Sequence, residues 1–182
     1  MHAMLNRCID TGLKLNPDKC FVKQEKIKFY GVICGHDGVQ PDSGKVSALK
    51  QMSSPTNRQE LQTFLGLANY TRPFIPNLIT LTAPLRELLK EDNRFRWYAA
   101  HQESFNGIKD SMSNEITLTY FDPMKETILQ VDASRKGLGA AVTQDRKPVA
   151  FASNALIDVE SRYANVEREL LSVVYGCDKF HT

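Results

Sequence analysis

The sequence predicts an α+β fold, and three observations carry that prediction. Strand-like runs with a period of two lie before residue 40. From Lys45 the apolar period becomes helical and stays so through Met112. It then returns to two before a last helical stretch closes the chain. With 182 residues, 42% of them hydrophobic and 24% charged, a core is affordable and wholesale disorder is excluded.

In chain order, Met4, Leu5, Cys8 and Ile9 have the spacing of a short amphipathic helix that Gly12 can close. Asn16-Pro17-Asp18 is a turn. Strand-like runs are expected around Cys20–Val22 and over Ile27–Ile33, before a turn at His36-Asp37-Gly38. Val46, Leu49 and Met52 share a helix face that Pro55 ends. Asn57 to Glu60 has the form of a capping box, opening a helix with Leu61, Phe64, Leu65 and Ala68 on its apolar side. Pro73 and Pro76 stop it, and a further helix is expected around Pro84–Leu89. Asp92-Asn93-Arg94 reads as a link, and Phe105, Ile108 and Met112 mark the next helix. Strands are expected at Ile116–Phe121, Thr127–Ala133, Leu138–Thr143 and Val149–Ser153, with a hairpin connection at Asp145-Arg146-Lys147. In the final helix Tyr163, Val166, Leu170, Val173, Cys177 and Phe180 fall on one face.

A net charge of +2 is too mild to argue nucleic-acid binding from charge alone. No apolar run of about 18 residues is present, so no membrane helix is expected. The first residues lack a basic segment followed by an apolar one, so an intracellular protein is expected, nucleus or cytoplasm open. The four cysteines match neither a metal motif nor a dense disulfide frame.

The sharpest chemical feature is Asp132, an acid inside an apolar strand, followed by Gly137-Leu138-Gly139. Glu169 lies at the rim of the apolar face of the last helix. Two such carboxylates can converge on a hard divalent cation such as Mg²⁺. Spacing alone leaves open that Asp132 is a turn acid and Glu169 a solvated helix charge. On the helix after the capping box, Gln62, Gly66 and Tyr70 form a stripe at i, i+4 and i+8. Its alternative is a helix whose glycine is an accident of packing. Lys23, Lys26 and Lys28 suit phosphate contacts or, equally, a solvated strand face.

Several motifs in one order resemble the Pol polyprotein of Ty3/gypsy-type LTR retrotransposons. They are Phe64-Leu65-Gly66-Leu67-Ala68-Asn69-Tyr70, Phe74-Ile75-Pro76-Asn77, Ala83-Pro84-Leu85 with Phe95-Arg96-Trp97, Tyr120-Phe121-Asp122-Pro123, Val131-Asp132-Ala133-Ser134 and Glu167-Arg168-Glu169-Leu170. The resemblance covers essentially the whole chain. It implies that residues 1–41 are the C-terminal end of a reverse transcriptase palm, residues 42–91 a helical thumb, and residues 92–182 the N-terminal part of a truncated RNase H-like mixed α/β domain. It further implies that Phe29-Tyr30-Gly31 is a primer-grip-like turn and that Gln62, Gly66 and Tyr70 track the minor groove of a primer–template duplex or RNA–DNA hybrid. Asp132 and Glu169 match the first two metal-binding, catalytic carboxylates of RNase H, with Mg²⁺ as cofactor in the parent enzyme. Pro73 departs from the pattern, standing where relatives usually carry a second basic residue after Arg72.

The parent activities implied are RNA-directed DNA synthesis and RNA–DNA hybrid cleavage. No adjacent Asp pair occurs in this chain, and a polymerase centre needs one in a Tyr-x-Asp-Asp turn expected upstream of Met1. The remaining RNase H carboxylates are expected after Thr182. The chain is therefore expected to be inactive alone, with weak or no Mg²⁺ binding; the alternative is a non-catalytic RNA–DNA duplex-binding module. The strand bearing Asp132 is expected to be an exposed sheet edge, open to self-association.

Overall fold

A computed structural model describes residues 2–91, 93–112 and 116–181. Of the expected features, the ends at Met1 and Thr182 and the Asp92 position of the link lie outside the described residues.

The chain opens with α1 (His2–Asp10), which buries none of its residues. Its apolar side stays exposed, Ile9 at 76%. Asn16 caps a 3₁₀ turn at Pro17–Lys19 by accepting from the Asp18 amide. The strand expected at Cys20–Val22 is absent; Phe21 and Val22 are exposed and pair with no described strand.

The expected strand over Ile27–Ile33 is instead a hairpin, β1 (Lys26–Phe29) and β2 (Val32–Gly35). Tyr30 at φ 45° and Gly31 at φ 84° form its two-residue turn. The alternation in sequence hid a non-glycine residue in the left-handed region. A second two-residue turn at His36-Asp37 leads to β3 (Gly38–Pro41), giving an antiparallel sheet ordered β1-β2-β3.

Four helices follow: α2 (Ser43–Gln51), α3 (Arg58–Tyr70), α4 (Leu78–Glu87) and α5 (Ala99–Ser111). Asn57 caps α3 as expected, accepting from the Glu60 amide at 2.9 Å, but the reciprocal half of the capping box is shifted by one residue. Glu60 accepts from the Thr56 amide and hydroxyl and from the Asn57 side chain rather than from the Asn57 backbone. Helix α4 begins six residues before the expected start at Pro84 and carries that proline inside it. Leu78, Ile79, Thr82 and Leu85 form its buried face, which outweighs the proline's lost hydrogen bond. The core these helices share runs through Leu49, Leu61, Phe64, Leu85, Phe105 and Ile108. Phe64 and Phe105 pack ring to ring at 4.4 Å. So α5 packs with the helices that precede it in sequence.

The second sheet is antiparallel, β4 (Ile128–Ala133), β5 (Gly137–Gln144) and β6 (Lys147–Ala155) in that order. Asp145 and Arg146, both at positive φ, form the two-residue turn joining β5 to β6. The strand expected at Ile116–Phe121 reduces to a single bridge. Leu118 pairs with Val39 of the first sheet, while the next residue, Thr119, donates its amide to the Pro148 carbonyl of the second. A segment split between two sheets forms no ladder with either.

Helix α6 (Asn165–Lys179) covers β4 and β5 on one side, and α4 with the turn at Arg72–Phe74 packs on β5 and β6. The expected apolar face of α6 does not face the sheet. Arg168, Ser172 and Gly176 are buried, whereas Val166 and Leu170 are 65% and 62% exposed. A Cβ on Gly176 would meet a Val131 methyl at 2.8 Å and a Leu129 methyl at 3.2 Å. Close approach through small residues therefore decided the orientation over side-chain hydrophobicity.

Candidate functional site

Asp132 sits on β4 opposite Gly139 of β5. Residues directly opposite in an antiparallel pair point to the same side of the sheet. Leu129 and Val131 meet α6, so by alternation Asp132 lies on the side of α4. There Asn77 donates its amide to Asp132 Oδ2 at 3.2 Å. Glu169 projects from the second turn of α6, where Glu169 Oε1 accepts from Asn165 at 2.7 Å.

The two carboxylates, 37 positions apart in sequence, line one cleft of about 410 Å³ with Val131, Val166, Leu170 and Val173. Strand β4 is an edge of the described sheet. Both acids are exposed. Each has one oxygen held by an asparagine, and the other has no hydrogen-bond partner among the described residues. Oxygen donors of this kind suit Mg²⁺, which retains several waters when only one or two carboxylates hold it. No group of three or more His, Cys, Asp or Glu able to hold a metal occurs among the described residues. Two acids make a partial ligand set.

The stripe on α3 divides. Gln62 and Gly66 are exposed, and nothing lies within 4 Å of where a Gly66 Cβ would stand. Tyr70 is half-buried instead: its hydroxyl donates to the Gly31 carbonyl, and Lys45 lies 5.6 Å above its ring. The structure thus brings Tyr70 against the Phe29-Tyr30-Gly31 turn. Phe29 and Tyr30 meet edge to face at 4.7 Å with most of their surface exposed. Of the three candidate lysines, Lys23 and Lys26 are exposed, and Lys28 pairs with Asp42 at 2.5 Å. That bond raises the Lys28 ammonium pKa and holds the Asp42 carboxyl below its ordinary value.

One feature escaped the sequence. A cleft of about 730 Å³ beside the start of α6 gathers Arg135, Arg162 and Arg168 with Ser134, Ser161 and Asn165. Arg168 is 8% exposed and, among the described residues, bonds neutral groups, the Ser161 carbonyl at 3.3 Å and Asn165 Oδ1 at 3.1 Å. Its Nε has no partner among the described residues. The arginines come from the β4–β5 turn and from two positions around the helix start, so no run of charge announced them. Guanidinium groups in such a cleft match phosphate oxygens in geometry and charge.

Residues 97–182 match the family described as the RNase H-like domain found in reverse transcriptase. The chain is 33% identical over 181 residues to the retrovirus-related Pol polyprotein from transposon 297 of Drosophila melanogaster, covering 99% of this chain and 17% of that protein. It is 32% identical over 176 residues to the transposon Tf2-3 polyprotein of Schizosaccharomyces pombe, covering 94% of this chain and 13% of that one. The chain thus spans less than a fifth of these relatives. Among solved structures, the foamy viral protease-reverse transcriptase dRH in complex with double-stranded DNA superposes with a TM-score of 0.79 at 23% identity, over 97% of this chain and 32% of that one. The foamy viral protease-reverse transcriptase in complex with RNA/DNA hybrid gives 0.74 at 24% identity, over 89% of this chain and 23% of that one. At these identities the likeness is one of fold.

Proposed function

The chain belongs to the Pol polyproteins of LTR retrotransposons and carries their RNase H-like domain, and from that premise we propose that it grips an RNA–DNA hybrid or primer–template duplex and presents Asp132 and Glu169 to it as metal-binding carboxylates. The observation that carries the reading is the shared cleft of those two acids. Mg²⁺ held there would supply charge stabilisation to a phosphodiester in the parent enzyme.

The chain's own residues account for the grip. Exposed Gln62 and Gly66 offer a side-chain donor and a bare backbone to a groove. Phe29 and Tyr30 offer exposed rings beside the end of the same helix. Arg135 and Arg162 neutralise phosphates on the side of the RNase H-like domain. With no adjacent Asp pair for polymerisation and two carboxylates in the cleft, this chain alone binds a hybrid without extending or cutting it.

The test is a fluorescence-anisotropy titration of a labelled RNA–DNA hybrid over a salt series, with the chain as it stands and with Arg135→Ala. The reading expects affinity to fall as salt rises and the log–log slope of the variant to be shallower by about one. A salt-independent affinity, or an unchanged slope, contradicts it.

A second reading concerns a copy of the same chain. Strand β4 is an edge, and beside it Val166, Leu170, Val173 and Val174 of α6 are exposed. Edge strands flanked by apolar surface pair with other chains. We propose self-association through this face; because Val166, Leu170 and Val173 also line the cleft of Asp132 and Glu169, a second copy seated there would compete with a duplex.

A further inference from the structure

The first turn of α4 is seated on the β4–β5 hairpin by two side-chain contacts. Asn77 precedes α4 at φ 53° and ψ 29°, and its side chain makes no cap bond to its own helix. An asparagine in that place ordinarily accepts from an amide of the first turn. Here its amide nitrogen reaches across to Asp132 Oδ2 at 3.2 Å. One turn on, the Thr80 and Ser134 hydroxyls are bonded at 3.1 Å.

The glycines of Gly137-Leu138-Gly139 explain how the helix comes so close. A Cβ on Gly139 would overlap the Asn77 amide, and one on Gly137 would stand 2.8 Å from an Ile79 methyl. Neither glycine has a positive φ, so the need is for space rather than for backbone freedom. The two glycines are a mould for α4, and Gly139 fixes where the Asn77 amide can sit.

We propose that Asn77 is a positioning residue for Asp132, so that the helical unit sets the orientation of a carboxylate in the RNase H-like domain. This rests on the reading of Asp132 as a metal-holding group. A donor on Oδ2 fixes the plane of the carboxylate and leaves Oδ1 for a cation. Partners of this kind around a metal site typically change its affinity by about 10- to 100-fold.

The test is Mn²⁺ binding to the full chain, followed by electron paramagnetic resonance of the free ion, with a thermal melt of each variant. Asn77→Gly keeps the left-handed backbone without strain and removes the amide. Gly139→Ala leaves Asn77 in place and pushes its amide away. Each should weaken Mn²⁺ binding by about tenfold, and the double variant should be no weaker than the worse single one. If Asn77→Gly lowers the melting temperature but binds Mn²⁺ as before, while Asp132→Asn loses the ion, Asn77 is only a brace and the proposal is overturned. If Asp132→Asn binds Mn²⁺ unchanged, the metal reading fails and takes the proposal with it.

Discussion

The hydroxyl of Tyr70, the last residue of α3, donates to the carbonyl of Gly31 at the tip of the β1–β2 hairpin. A side chain on Gly31 would overlap the Tyr70 ring, so the turn and the helix end are fitted to each other. The Gln62, Gly66 and Tyr70 stripe of α3 and the Phe29-Tyr30-Gly31 turn are joined by this bond.

Tyr70→Phe keeps the ring and removes the donor. The bond's net contribution is about 1 kcal/mol. Hydrogen exchange should show the hairpin amides of residues 26–35 exchanging faster, with those of α3 unchanged. Equal protection in both proteins would show that the hydroxyl does not hold the hairpin.

The Lys28–Asp42 pair ties the same hairpin to α2 and carries a pH signature. The Lys28 hydrogen bond, opposed by desolvation and helped by the Gly44 amide, holds the Asp42 pKa low. A lowered carboxylate pKa stabilises above its unfolded value, about 3.9, and that stability is lost as pH falls through the lower folded value. The raised Lys28 pKa stabilises below about 10.4 and is lost as pH rises through the higher folded value. Asp42→Asn keeps a good cap on α2 and removes the charge. The urea midpoints of the two proteins should differ by a constant amount from about pH 5 to 9 and converge below about pH 4. A difference that persists in acid would contradict the pairing.

Phe105 stacks on Phe64 inside the core of α2 to α5. Phe105→Ala should cost about 3–5 kcal/mol in chemical denaturation. Exchange protection should fall in α3 and α5 together, because one core serves both. Loss confined to α5 would show that it belongs with the sheet that follows it.

Leu170, 62% exposed on α6, is the centre of the apolar face beside β4. Sedimentation should show mass rising with protein concentration, and Leu170→Lys should abolish the rise. A monomer at all concentrations removes the self-association reading.

Much of the fold was legible in the sequence where one local rule decided it. Asn57 and Glu60 announced the start of α3, and alternation marked β4 to β6. What failed depended on contacts distant in sequence. Tyr30 takes a left-handed backbone within an alternating run, with Tyr70 closing on the turn beside it. Leu118 and Thr119 bond to different sheets. The face of α6 was chosen by Gly176 against Val131, a steric fit that hydropathy does not register. Asp132 and Glu169 were chosen as a pair, and the fold gives them one cleft. The arginine cleft was missed because its members lie in separate segments.

Binding of an RNA–DNA hybrid by the chain and by Gly66→Glu tests the account most directly. Open space surrounds Gly66, so the glutamate disturbs no packing and places a negative charge where the backbone of a duplex should pass. In anisotropy titrations at matched salt, binding should be lost in the variant while its melting temperature stays that of the parent chain. Equal affinity in the two proteins would contradict the interface proposed for α3.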